Sequence, residues 1–359
     1  MTRTSDRDNP ELARTLARRR FLGVAAGTTA AALVGSAAAA PAGAAEASRS
    51  GDHGGHGGHG RPVLPPNRLG IQLYTLRDQV AKIGFARVFK ELERYGYDEV
   101  EFAGYTQGAA GPITLRQLKR LTRDHGLRGV GSHVGYYSDD PNAYTFAQNL
   151  TKVLDDAQAL GLPHIGTASG PWRYGSTVDG WKRCAEDFNT YGAAAKARGM
   201  KFYQHNHAEE FSFATDRPDV RLYDVLLAET DPDLVYLEMD IYWAFVAQYR
   251  FSKRVDGTPA PFEPIDYVLD CPDRYPLFHV KDGEHDEAEA DGYRMVDVGD
   301  GDIDYRRFLT KVGNTRGGRK DHHWIVEHDG AGDPVTNPAG SLSTARRSAR
   351  HLKSLRTHR

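Results

Sequence analysis

Cysteine is scarce in this chain: Cys184 and Cys271 are the only two. They lie far apart and lack metal-type spacing, which argues against a disulfide framework or a zinc ribbon. A charge excess is missing as well. Lys and Arg number 46 against 48 Asp and Glu, a formal net charge of −2, so no strong field favours nucleic acid or an anionic membrane. A small molecule is the expected partner. No Gly-x-Gly-x-x-Gly run follows the first expected strand, which disfavours a dinucleotide-binding sheet.

The N-terminal region is short of strong hydrophobes. Arg18-Arg19-Arg20-Phe21-Leu22 precedes an alanine-rich stretch through Ala40 and small residues at Ala42 and Ala44, the order of regions in a signal peptide. The paired arginines followed by Phe-Leu resemble a twin-arginine signal, which exports folded proteins. The stretch is too weakly apolar for a lasting membrane anchor. Residues 1–45 therefore read as a cleaved leader, with a periplasmic or extracellular destination and no stable membrane insertion afterwards. Residues 51–60, with His53, His56 and His59 among glycines, hold too little apolar surface to offset their chain entropy. Pro62, Pro65 and Pro66 stiffen the approach. Residues 46–67 read as a flexible linker and 68–359 as one folded domain.

From Gly70 onward, short β-rich runs alternate with longer amphipathic stretches, the pattern of a parallel sheet covered by helices. The runs predict strands at 70–74, 99–103, 128–134, 164–168, 201–207, 234–240, 277–281 and 324–329. Between them, helices are expected at 78–95, 114–125, 142–160, 178–198 and 218–229. Several of these stop at a glycine (Gly96, Gly126, Gly161, Gly199), which takes the left-handed conformation that closes a helix. Eight strand units favour a closed (β/α)8 TIM barrel, which commonly fills ~250 residues as one domain.

In such a barrel the chemistry sits at the C-terminal strand ends. There the sequence offers Glu101, His133, His205, His207, Glu238, Asp240, His279, Lys281, Asp282 and Glu327. Alternate strand residues share a face, so His205 with His207, Glu238 with Asp240, and His279 with Lys281 can point inward together. Several acids converging on one mouth call for a compensating cation, and a metal is the simplest.

The runs Tyr203-Gln204-His205-Asn206-His207, Leu237-Glu238-Met239-Asp240-Ile241-Tyr242-Trp243, Phe278-His279-Val280-Lys281-Asp282-Gly283 and Val326-Glu327-His328-Asp329-Gly330 resemble successive strand ends of the sugar phosphate isomerase/epimerase family. The resemblance implies a xylose-isomerase-like barrel with one divalent metal. Its ligands would fall on His205 or His207, on Asp240, on His279 and on Glu327. Two histidines with two carboxylates suit Mn, Zn, Co, Fe or Mg, without selecting among them. Glu101 and Glu238 suit acceptors that orient the histidines, or plain core polar residues.

The chain departs from the family at strand five, where His205 and His207 stand in place of the first of two metal-binding glutamates. A two-glutamate epimerisation is then in doubt, and Lys281 or His207 is the replacement base beside Glu327. The resemblance implies metal-assisted proton abstraction from a carbohydrate, with isomerisation or epimerisation first. Lyase or dehydratase action on 3-keto-glycosides is the alternative, and a non-catalytic sugar-binding barrel the further one. A DNA-repair endonuclease on the same barrel would need a basic face. Export favours an unphosphorylated sugar. Tyr74, Tyr136, Trp172 and Trp243 lie near strand ends, where rings can stack on it or pack loops. His133 and Glu101 join them as candidate substrate-binding groups.

Overall fold

A computed structural model describes residues 60–104, 113–168, 170–318 and 320–357. The expected leader at 1–45 and residues 46–59 of the expected linker lie outside the described residues. The strands are β1 (Leu69–Gln72), β2 (Glu99–Ala103), β3 (Arg128–Val134), β4 (His164–Thr167), β5 (Lys201–His205), β6 (Val235–Asp240), β7 (Leu277–Val280), β8 (Asp282–His285), β9 (Tyr293–Val296) and β10 (His323–Val326). Eight of them close a barrel in the order β1-β10-β7-β6-β5-β4-β3-β2, every pair parallel. β8 and β9 form a separate antiparallel pair.

Both faces of a barrel strand are covered, by the interior and by the helices, so these strands read as unbroken buried runs. β1, β4, β7 and β10 are buried at every position. Val130, Tyr203, Leu277 and Ile325 pack together inside, against Tyr236. The helices are α1 (Arg77–Tyr95), α2 (Leu115–Asp124), α3 (Phe146–Leu160), α4 (Val178–Lys196), α5 (Leu222–Glu229), α6 (Ile241–Arg250), α7 (Pro264–Asp270), α8 (Tyr305–Gly313) and α9 (Ser341–Ser354). Thr114 and Gln117 cap α2 reciprocally, satisfying two backbone donors that would otherwise lack partners. Gly96 ends α1 at φ 78°, which costs a residue with a Cβ far more. None of the helices among the described residues is long and apolar enough to cross a membrane.

Several boundaries differ from those the sequence suggests. The folded unit begins at Arg61, not at residue 68. Val63 and Leu64 are buried, Val63 N donates to Leu355 O at 3.3 Å, and Thr357 N donates to Arg61 O at 2.9 Å. α3 starts at Phe146 because Thr145 caps it, and α5 starts at Leu222. β5 stops at His205, β7 at Val280 and β10 at Val326, so His207, Lys281 and Glu327 lie just past their strands. The β8–β9 pair has no counterpart in the sequence reading. The segment after β9 is gathered by Asp282, whose carboxylate accepts from the N–H groups of Gly283 and Gly299 at 2.9 Å and of Gly301 and Ile303 at 3.3 Å.

Candidate metal centre

The register of neighbouring strands brings the candidate donors together. β5 pairs with β6 so that His205 faces Glu238, and β6 with β7 so that Asp240 faces His279. Strand alternation turns Glu238 and Asp240 to the same side, and Glu327 follows the end of β10. His205 Nε2 lies 3.6 Å from Asp240 Oδ2, His279 Nδ1 lies 3.7 Å from the same oxygen, and His279 Nδ1 lies 2.7 Å from Glu327 Oε2. With metal–ligand bonds of 2.0–2.2 Å, neighbouring ligands of a tetrahedral ion sit about 3.3 Å apart. The observed separations bracket that value. Asp240, His279 and Glu327 form a buried metal-capable group. Asp240 Oδ2 and His279 Nδ1 are buried with no well-aligned hydrogen bond, their nearest polar neighbours being Lys281 Nζ at 3.0 Å and Glu327 Oε2 at 2.7 Å, so both atoms suit a ligand role. The residues present therefore fit a divalent cation.

A layer of carboxylates beneath orients the imidazoles. His279 Nε2 donates to Glu101 Oε2 at 2.7 Å, and His205 Nδ1 donates to Glu238 Oε2 at 3.1 Å. Each ring thereby presents its other nitrogen to the donor cluster, the arrangement that fixes the tautomer of metal-binding histidines. Glu101 also accepts from Tyr203 Oη and from Gln72 Nε2. Gly131 makes room for this meeting: a Cβ there would lie 3.0 Å from Tyr203 Oη and 3.1 Å from Glu101 Oε1. His133 Nε2 donates to Glu238 at 2.6 Å. His133, His205, Glu238 and His279 form a second metal-capable group, which shares His279 with the first. Its ring nitrogens are engaged by carboxylates, so the two glutamates serve it as hydrogen-bond acceptors.

The charges follow from the crowding. Burial alone would raise Asp240, yet Lys281, His279 and His205 hold it at about 2. Burial opposes a charge on His279, but Glu238, Glu327 and Glu101 raise it well above the ordinary histidine value. The carboxylates thus call for positive charge at this point. Lys281 Nζ is buried and lies 3.0 Å from Asp240, 2.9 Å from Glu327 and 2.8 Å from Asp329. Burial works against its charge, but these three acids raise its pKa well above the ordinary value. These carboxylates favour the charged ammonium of Lys281, a state that suits a donor of positive charge better than a base. His207 differs, because burial and then Lys281 lower its pKa and leave a neutral imidazole. Its ring lies 5.0 Å from that of His205 and 5.9 Å from that of Trp243.

Among the described residues, the metal-capable groups include His205 and leave out His207. The strand ends at His205, so the two-residue alternation that would have turned both inward stops there. Glu101, expected to meet substrate, is fully buried with both oxygens engaged. Trp172 packs edge-on against Trp181 with centroids 5.3 Å apart and stays out of the cleft lining. Tyr136 is buried behind the barrel, its hydroxyl 2.6 Å from Asp187. Trp243 stands behind His207 and Lys281 rather than in the lining.

The cleft over the donors encloses about 510 Å³. Tyr74, His133, His205, His207, Lys281 and Glu327 line it, and its remaining wall is mostly small: Ala103, Gly104, Gly135 and Ala168. Tyr74 is 43% exposed, with one ring face covered by Arg77 at 3.8 Å. Sequence reading missed three participants. Tyr144 and Asp329 line the cleft; Asp329 carried a signal, two residues after Glu327, whereas Tyr144 carried none. Glu210 is buried, accepts from His207 N at 2.8 Å and leaves Oε1 without a partner. Burial pushes its carboxyl up to about 8.

With this geometry in view, comparison with known proteins gives a consistent result. The profile of the xylose isomerase-like TIM barrel family matches residues 89–355. A sugar phosphate isomerase/epimerase from Parabacteroides distasonis superposes with a TM-score of 0.62 at 22% identity, covering 80% of this chain and 94% of that one. The IolI protein with its zinc atom gives 0.58 at 14% identity, covering 81% and 100%. The probable 3-DHS dehydratase AsbF from Bacillus anthracis gives 0.55 at 13%, covering 79% and 98%. At these identities the likeness is one of fold. No curated protein sequence matches the chain significantly.

Proposed function

Because the chain belongs to the xylose isomerase-like TIM barrel family, we propose that it is a metal-dependent isomerase or epimerase moving a proton beside the carbonyl of an unphosphorylated sugar. The observation that carries this is a neutral imidazole, His207, and an ammonium, Lys281, on one cleft wall beside the converging donors of His205, Asp240, His279 and Glu327. A divalent ion held by those four would polarise a carbonyl or vicinal diol and acidify the adjoining C–H. His207 removes the proton at Nε2, the nitrogen turned away from Glu210, whose Oε1 lies 4.0 Å from Nδ1, and isomerisation is completed when the same imidazolium returns it to the neighbouring carbon. Lys281 Nζ, buried and held by Asp240, Glu327 and Asp329, supplies positive charge near the oxygen on which negative charge develops. Tyr74 offers its free face to a sugar ring.

The lining supports a substrate without phosphate. Glu327 and Asp329 face the cleft, Lys281 is already bound by three carboxylates, and the lining among the described residues contains no arginine. A phosphate would meet repulsion rather than a clamp.

Elimination is the second reading, favoured by the small-residue wall of Ala103, Gly104, Gly135 and Ala168 running to Tyr144, which leaves space for a departing group beyond the reacting ring. Incubation with free ketoses and, separately, with 3-keto-glycosides distinguishes the two. Ketose interconversion supports the proposal; aglycone release without it replaces isomerisation by elimination; inertness toward both points to a sugar-binding barrel.

We also propose export through the leader expected at residues 1–45. Replacing Arg18 and Arg19 by lysine should hold the protein in the cytoplasm, and unchanged secretion would remove this part of the account.

A further inference from the structure

The opposite end of the barrel carries a second built cavity. Its rim comes from the first residues of strands: Glu99 of β2, Arg128 of β3, His164 of β4 and His323 of β10, with Arg68 just ahead of β1. Glu99 is fully buried and both its oxygens are engaged. Oε1 accepts from Arg128 at 2.7 Å and Arg68 at 3.4 Å, and Oε2 accepts from His323 Nδ1 at 2.7 Å. The glutamate thereby aims two guanidiniums along the rim.

Around this hub the cavity encloses about 560 Å³. Lys119 and Arg123 of α2 line its other side, and Phe102, Leu127, Val130 and Leu160 give it an apolar wall. Arg68, Lys119, Arg123 and Arg128 line it with one carboxylate, Glu99; Asp124 lies 3.6 Å from Arg123 on the outer side, and the backbone carbonyls of Lys320, Asn67 and Ala159 take one donor each from Arg68, Arg128 and Lys119. The cleft at the metal end has the reverse bias, with Glu327 and Asp329 against Lys281. Since the whole chain is nearly neutral at −2, its composition does not account for this separation of sign.

Cations gathered against an apolar wall repel one another and draw an anion. Guanidinium forks match the paired oxygens of carboxylate and phosphate. His164 donates Nδ1 to Val130 O at 2.9 Å, and burial, then His323, lower it to about 3. It is a neutral ring whose Nε2 remains an acceptor for a ligand hydroxyl. This end of a barrel ordinarily carries stability rather than chemistry, so a site here is separate from the metal centre.

We infer that this cavity binds a small multiply charged oxyanion, of which inorganic phosphate is the simplest member. Calorimetric titration of the full chain with inorganic phosphate tests this. The Lys119→Gln/Arg123→Gln double variant leaves the Glu99 hub intact, and its thermal melt checks folding. One phosphate should bind per chain, with Kd raised about tenfold in the double variant, the scale of losing two partly exposed ionic contacts. Asp240→Ala, at the other end, should leave Kd unchanged. Absence of saturable binding, equal Kd in wild type and double variant, or loss of binding in Asp240→Ala would each overturn the inference.

Discussion

His279 donates its Nε2 hydrogen to Glu101 across 2.7 Å, which leaves Nδ1 of the same ring 2.7 Å from Glu327 and facing the donor cluster. In the proposed metal centre the choice of ligand atom would thus be made by a residue outside the ligand set. Glu101→Gln keeps the shape but removes the charge that holds this tautomer. Metal affinity should fall by about 10–100-fold, measured by competition with a chelator, while the fold persists. Unchanged affinity would show that Glu101 only fills the core.

Lys281 sits in a cage of three carboxylates and in the proposed reaction supplies positive charge beside the substrate. Lys281→Met should lower turnover by ~10²–10⁴-fold with bound metal retained. Turnover close to wild type would exclude Lys281 from the chemistry.

Glu210 gives a pH signature. Its carboxyl is raised to about 8 in the folded chain, against about 4.3 for an unperturbed glutamate. Between these values the folded state binds the extra proton, so its stability falls as pH rises from about 4.3 to 8 and levels off above. The slope is at most about 1.4 kcal/mol per pH unit. Glu210→Gln cannot ionise and should lose less stability than wild type between pH 5 and pH 8 in denaturant titrations. Parallel losses would remove the assignment.

How much of this was legible in the sequence depends on whether the cause is local. The barrel strands were readable because short β-rich runs recur between longer amphipathic stretches, and Glu238 and Asp240 announced a shared face by their spacing. His207 was placed with His205 by the same rule, which failed because β5 ends at His205. The β8–β9 pair was hidden because Asp282 ties β8 to the segment after β9 through backbone groups 17 to 21 residues away. Val63 and Leu64 read as linker because proline dominates that stretch, while their burial is shared with residues near the C-terminus such as Leu355. The roles of Glu101 and Glu238 were open in the sequence, since only the folded register shows which nitrogen each one engages.

The most direct test of the central claim is the metal content of the purified protein, measured by elemental analysis alongside Asp240→Ala and His279→Ala. The account predicts about one divalent ion per wild-type chain and loss of that ion in both variants. A metal-free wild type, or occupancy unchanged in the two variants, would contradict it.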